Sequence, residues 1–140
     1  KHPEVLQQVI ADGHSIGNHT FNHLNGWKTG TEKYLDNTAQ CQELIDSVLF
    51  RPPYGRITFK QYKLLSKQYK IVLWKVLSGD FDKRISAGQC FKNVISNAGP
   101  GDVIVFHDSL KAESHLKALL PQVLQYYKDK GFVFKAVTNS

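Results

Sequence analysis

The stretch 102-DVIVFHD-108 carries an unbroken apolar run, Val103 to Phe106, between two acidic residues. A strand with one wet face alternates apolar and polar residues, and this one does not. It reads as a strand buried on both faces, which is the habit of parallel sheets covered by helices. Its neighbours agree. A turn at Gly99-Pro100-Gly101 precedes it, and before that lies a helix over about 86–98. After it the spacing predicts a helix over about 113–130, ended by Gly131, and a last strand at 132-FVFKAV-137.

Working further outward, 70-KIVLWKV-76 reads as the clearest strand, preceded by a helix over about 58–69. A short strand at 49-LFRPPYG-55 runs into a proline-stiffened turn. The stretch 30–48 reads as a helix, with Thr31 as its cap and Tyr34, Leu35, Cys41, Leu44, Ile45 and Val48 on its apolar positions. Residues 3–13 read as a short amphipathic helix, with Pro3 in its first turn, Gly13 at its end and Val5, Val9 and Ile10 at helical spacing. The stretch 14-HSIGN-18 reads as a short strand or an extended entry. Alternating strands and helices predict an α/β fold with a parallel sheet.

In such folds chemistry collects just past the C-terminal ends of strands. Those places hold His19 and His23, Arg51 and Tyr54, Asp80 and Asp82, and His107 and Asp108. Four such placements predict a single mouth of a barrel or open sheet.

At 140 residues the chain is expected to form one domain, 1–140. No run approaches the roughly 18 apolar residues of a membrane helix. Net charge is +6, but the lysines are scattered, as at Lys60, Lys63, Lys67 and Lys70, so no nucleic-acid partner is expected. Cys41 and Cys90 lack any CxxC spacing and are expected to be free thiols.

Three motifs can carry chemistry. His19 and His23, four apart, can grip one divalent cation, zinc by preference, with cobalt or nickel as alternatives; or they are two solvent-facing loop histidines. His14 is taken as structural. In 51-RPPYG-55 two prolines remove two N–H donors, so the turn presents the N–H of Tyr54, suited to an oxyanion. Arg51 can hold a carboxylate in a bidentate grip. The alternative is a stiff connection with a surface arginine. His107, ending a buried strand, is placed for acid or base work, with Asp80 or Asp108 to orient it; or it is a partly buried histidine bonded to backbone.

These pieces in this order resemble the polysaccharide deacetylase family, the NodB-homology domain of carbohydrate esterase family 4. The resembling residues are His19-Thr20-Phe21-Asn22-His23 for H-[ST]-x-x-H, Arg51-Pro52-Pro53-Tyr54 for R-x-P-Y, and 105-VFH-107 at the end of a strand. The resemblance implies a distorted (β/α) barrel and a metal-dependent hydrolase of carbon–nitrogen bonds other than peptide bonds. Its substrate would be an acetylated glycan, most often N-acetylated. By the same resemblance His19 and His23 bind the metal, Pro53 and the Tyr54 N–H serve the oxyanion and substrate, and Arg51 positions a catalytic-base aspartate. His107 becomes the general acid, tuned by Asp80, and Val105 stands where a leucine walls the acetyl pocket. A monomer in an extracellular, periplasmic or cell-envelope setting is expected.

The sequence departs from the family in two places. The aspartate pair of the type T-F-D-D-G-P, source of the base and the third metal ligand, is absent. Because the chain opens on Lys1 and not Met, the domain is expected to be incomplete at its N-terminus and impaired by itself. The D-x-x-D-W motif survives only as Asp80, with Phe81 in place of tryptophan. A second reading follows from the missing acids: a non-catalytic carbohydrate-binding or scaffold protein, with Trp27 lining a sugar groove.

Overall fold

The structure, a computed structural model, describes residues 2–138. Lys1, on which the expected N-terminal incompleteness rests, lies outside them. The chain forms two compact units, one holding the residues up to Leu73 with those from Lys135 onward, the other Trp74–Phe134.

The first unit contains α1 (Pro3–Ala11), a 3-10 turn at Gly26–Lys28, α2 (Thr31–Gln42), β1 (Leu49–Phe50), a second 3-10 turn at Pro53–Gly55, α3 (Phe59–Leu65) and β2 (Lys70–Ile71). β1 and β2 pair in parallel, Leu49 opposite Lys70 and Phe50 opposite Ile71. The entry at 14–18 joins β1 through one parallel bridge, Asn18 to Phe50. The core is built from the buried Tyr34, Phe50 and Leu65, with Leu24, Leu35, Ile57, Tyr69 and Ile71 against them. Tyr34 and Phe50 meet edge to face, ring centroids 6.2 Å apart, the arrangement favoured by aromatic quadrupoles. α3 starts at a capping box: the Thr58 hydroxyl accepts from Gln61 N–H, and the Gln61 side chain accepts from Thr58 N–H.

The second unit contains β3 (Val76–Leu77), α4 (Ala87–Asn97), β4 (Ile104–Val105) and α5 (Glu113–Asp129). β3 and β4 are parallel, Val76 opposite Ile104 and Leu77 opposite Val105. Leu119, Val123 and Tyr127 recur every four residues along α5 and meet Cys90 and Val94 of α4 and Val76 of β3 in one core. The Tyr127 hydroxyl is shared between the Val94 and Ala98 carbonyls, 3.2 and 3.1 Å away. It thereby satisfies acceptors at the end of α4.

The α/β class with parallel strands holds, and several boundaries change. The stretch 70–76 is two strands. Val72 N–H still bonds Phe50 O, but Lys75 N–H bonds Val103 O, so the chain changes partner in mid-run. The helix expected over 30–48 ends at Gln42, and its N-cap is Gly30, not Thr31. The Ser47 hydroxyl donates to Ile16 O and accepts from Leu49 N–H, drawing 44–48 out of the helix toward β1. Leu44 and Val48 are consequently exposed. In 103–106 only Val105 is buried; its neighbours are half-buried. Residues 132–137 form no strand, and Val133 and Phe134 are exposed. α1 buries none of its residues, and Leu6 and Ile10 border an open groove of about 690 Å³ with Ile16, Leu44 and Val48. His14 is exposed, not structural. Cys41 and Cys90 are free.

Tyr34 yields a pH prediction. Its hydroxyl is buried and has no hydrogen-bond partner among the described residues, and burial pushes its ionisation far above the ordinary tyrosine value. The folded chain keeps this proton when the unfolded chain releases it near pH 10. The linked stability is therefore complete below about pH 10 and declines as pH rises beyond it. Burial raises Tyr69 and Tyr127 in the same direction. Tyr34→Phe is expected to gain about 1 kcal/mol at neutral pH, by removing an unsatisfied buried group, and to flatten part of the alkaline slope. Urea denaturation at pH 7 and pH 11 measures both, and an unchanged slope would refute the assignment to Tyr34.

Candidate functional site

In the first unit the loop after Asn18 is held by polar residues that no motif announces. Asn18 is fully buried. Its amide donates to Thr38 O at 2.9 Å, and its carbonyl oxygen accepts Thr20 N–H at 3.0 Å. From α2, Asn37 accepts twice: its backbone O from Phe21 N–H and its side-chain oxygen from Asn22 N–H. The Thr20 hydroxyl accepts Leu24 N–H. These bonds hold Thr20 (φ 59°) and His23 (φ 54°) in the left-handed region. That region is costly for a β-branched residue such as Thr20.

His19 Nδ1 lies 2.5 Å from the Arg51 carbonyl oxygen. A carbonyl only accepts, so Nδ1 carries the proton and Nε2 the lone pair, the form in which an imidazole ligates a cation. The His19 and His23 rings meet edge to face with centroids 4.9 Å apart. His23 also packs on Tyr54 at 4.7 Å. Tyr54 itself has φ 60°, ψ 9°, a third non-glycine left-handed residue in the same neighbourhood. The N–H groups that follow it are used, Gly55 bonding Pro52 O and Arg56 bonding Pro53 O. The Tyr54 N–H has no acceptor among the described residues, and Pro52 and Pro53 are buried beneath it. Arg51 is half-buried; Nε donates to Val72 O at 3.4 Å, and desolvation lowers its pKa. No carboxylate pairs with it among the described residues.

In the second unit Asp80 has no exposed surface. Its Oδ1 accepts His107 Nδ1–H at 2.7 Å and the Ser78 hydroxyl at 3.0 Å; its Oδ2 accepts the His107 backbone N–H at 2.6 Å. The Asp80 carbonyl accepts from His115 Nδ1 at 2.9 Å. Of the two expected partners for His107, Asp80 is therefore the one bonded, and Asp108 is exposed. The His107 side chain is 37% exposed, so its Nε2 edge can meet a solute. Phe81 packs edge-on to His107 at 4.8 Å, keeping an aromatic ring where the motif usually has tryptophan. Val105 is buried, and it lies on the strand face opposite Ile104 and Phe106, which pack on the α4–α5 core. Asp82 is engaged by Arg84, whose hydrogen bonds hold its carboxyl well below the usual range.

Sequence reasoning missed Asn18, Asn37, Ser78 and His115. Two left a signal. Asn37 and Thr38 interrupt the apolar stripe of their helix, and Ser78 sits two before an aspartate, the spacing of a local side-chain turn.

The donor chemistry of His19 and His23 suits a divalent ion. A catalytic zinc takes three protein ligands, and no group of three His, Cys, Asp or Glu side chains able to hold a metal occurs among the described residues. The described residues thus fit two positions of such a site and do not complete it.

Comparison with known proteins bears on the same residues. The polysaccharide deacetylase family model matches residues 1–72. A peptidoglycan-N-acetylglucosamine deacetylase of Bacillus cereus is 32% identical, over 96% of this chain and 51% of its own length. A second protein of that name from Bacillus cereus is 30% identical, over 99% of this chain and 68% of its own. The chain thus spans about half the length of the first and two thirds of the second. Among solved structures, the crystal structure of a peptidoglycan N-acetylglucosamine deacetylase superposes with a TM-score of 0.88 at 29% identity, over 96% of this chain and 66% of that one. The mixed α/β fold is the one those structures share, and the chain belongs to the polysaccharide deacetylase family.

Proposed function

We propose that this chain is part of a metal-dependent hydrolase that removes acetyl groups, N-acetyl above all, from a cell-wall or related glycan. The observation that carries the reading is the His107–Asp80 pair, in which a wholly buried carboxylate holds Nδ1 of an imidazole side chain that stays 37% exposed. The names of its relatives, which act on peptidoglycan N-acetylglucosamine, support the substrate class.

His19 and His23 would supply two ligands to the metal, zinc by preference with cobalt or nickel as alternatives, and the metal would supply Lewis acidity toward water and the acetyl carbonyl. The remaining steps belong to the chain. The Tyr54 N–H, held outward by Pro52 and Pro53, donates to the oxyanion that develops as the carbonyl carbon becomes tetrahedral. Pro53 in the first unit and Val105 in the second are the proposed substrate-binding residues of their own units. Arg51, a half-buried cation, would position the carboxylate base that takes the attacking water's proton, a group not paired with it among the described residues. As the C–N bond breaks, the protonated His107 gives its Nε2 proton to the leaving amine, and Asp80 keeps the ring in register through Nδ1. The products are acetate and a free amine.

The test is acetate release from N-acetylated chitin oligomers and peptidoglycan by the natural protein. Activity should vanish with a chelator and return with zinc. Intact glycan in every case would overturn the reading. A second reading, a carbohydrate-binding protein without catalysis, draws on the incomplete ligand set among the described residues; glycan binding without acetate release would favour it. For the 140-residue chain alone, two imidazoles predict weak zinc binding. Isothermal titration should give a shallow isotherm, abolished by His23→Ala, and a sharp saturating one would contradict the ligand count.

A further inference from the structure

We infer that His115 is a positioning residue for His107, acting through the backbone of Asp80; the inference rests on the proposed role of His107 as the acid. Asp80 is anchored at every polar atom. Its N–H donates to the Ser78 hydroxyl at 3.3 Å, and its two carboxylate oxygens receive the three donors described above. Those contacts come from the ends of β3 and β4. The carbonyl is held from a third element: His115, in the first turn of α5, donates its Nδ1–H across 2.9 Å.

A carbonyl acceptor leaves no choice of tautomer at His115, so this is a fixed single donor. Its target sits in a tight turn. Gly79 has φ +87°, and a Cβ there would meet Ile85 Cδ1 at 2.8 Å; Asp82 N–H closes the turn onto Gly79 O. The peptide between Asp80 and Phe81 can swing about such a turn unless its carbonyl is tied. A swing would move both the carboxylate under His107 and the Phe81 ring beside it. His115 therefore ties the two side chains that orient the imidazole, without needing to touch it. α5 is in turn fixed by Leu119, Val123 and Tyr127 in the core, so the tie is to a rigid support. Misplacement of a reacting group by a fraction of an ångström lowers turnover more than substrate binding.

Three variants test this. His115→Leu and His115→Ala remove the donor, the first keeping much of the volume. His115→Asn keeps a donor, because its Nδ2 is attached at the same distance along the side chain as the imidazole Nδ1. In the natural protein, Leu and Ala should lower kcat about 10- to 100-fold with KM within about twofold, and Asn should restore most of it. The independent readout needs no substrate: the Nδ1–H proton resonance of His107 in ¹⁵N-histidine-labelled chain. It should be sharp in the parent and in His115→Asn, and broadened by exchange in Leu and Ala. An unchanged resonance and kcat in the donor-less variants overturns the inference. So does failure of Asn to rescue, or loss of the fold in both Leu and Ala, which would make the contact a folding element. If the natural protein releases no acetate from any glycan, the deacetylase reading falls, while the His107 resonance still decides the role of His115.

Discussion

His107→Ala is expected to lower kcat for acetate release by about 10²- to 10⁴-fold, with KM close to that of the parent. The reason is that the ring contributes a proton and little binding. Its Nδ1 is committed to Asp80, and its exposed edge offers one nitrogen to the substrate amine. The fold should tolerate the change, because the backbone N–H of residue 107 and the Ser78 hydroxyl still bond the Asp80 carboxylate. A loss of about 1 kcal/mol is expected, from one missing hydrogen bond. Steady-state kinetics beside a urea melt separates the two effects. Undiminished turnover in a folded variant would remove His107 from the role of acid.

The largest effect on stability is expected at Asp80. Asp80→Ala strands three donors, the two N–H groups of His107 and the Ser78 hydroxyl, in a place with no exposed surface. A loss of about 3–5 kcal/mol is expected, because each buried donor left without its acceptor costs about 1–3 kcal/mol. Asp80→Asn should cost less and inform more. An amide has one acceptor oxygen. Turned toward the His107 backbone N–H, that oxygen leaves its NH₂ facing Nδ1. The imidazole then relieves the clash by moving its proton to Nε2, the opposite tautomer from the parent's. Turnover should fall by about 100-fold or more, because a neutral amide no longer stabilises the imidazolium that acts as the acid, and ¹⁵N shifts of His107 report the tautomer directly. An alanine variant as stable as the parent, or an asparagine variant with the parent tautomer, would contradict this account.

These pairs show what local sequence can and cannot disclose. That Arg51, Asp80 and His107 lie just past strand ends was legible, because strands announce themselves by composition and the polar residue after them stands out. The helix Glu113–Asp129 was legible, with Gly131 marking its end. The split of 70–76 was not, since Ile71 and Val76 are equally apolar and differ only in partner, Phe50 on one side and Ile104 on the other. Pairing is non-local and leaves no mark on the run itself. The choice of Asp80 over Asp108 came from the family resemblance and not from spacing, because it depends on how the turn at Gly79 folds back onto β4. His115 was hidden for a related reason. It acts through one hydrogen bond to a backbone carbonyl from a helix, a role many residue types can fill and no spacing marks.

The three left-handed residues, Thr20, His23 and Tyr54, have a consequence for protein engineering. Each such residue raises the energy of the loop by about 1–3 kcal/mol, so the five residues from His19 to His23 do not favour this shape by themselves. A transplant of that pentapeptide into another scaffold would relax and part the imidazoles. The smallest portable unit is larger: the pentapeptide with Asn18 before it, and a helix presenting the equivalents of Asn37 and Thr38 beside it. A graft that brings those three along should keep the histidine rings together; one that omits them should present two unrelated side chains.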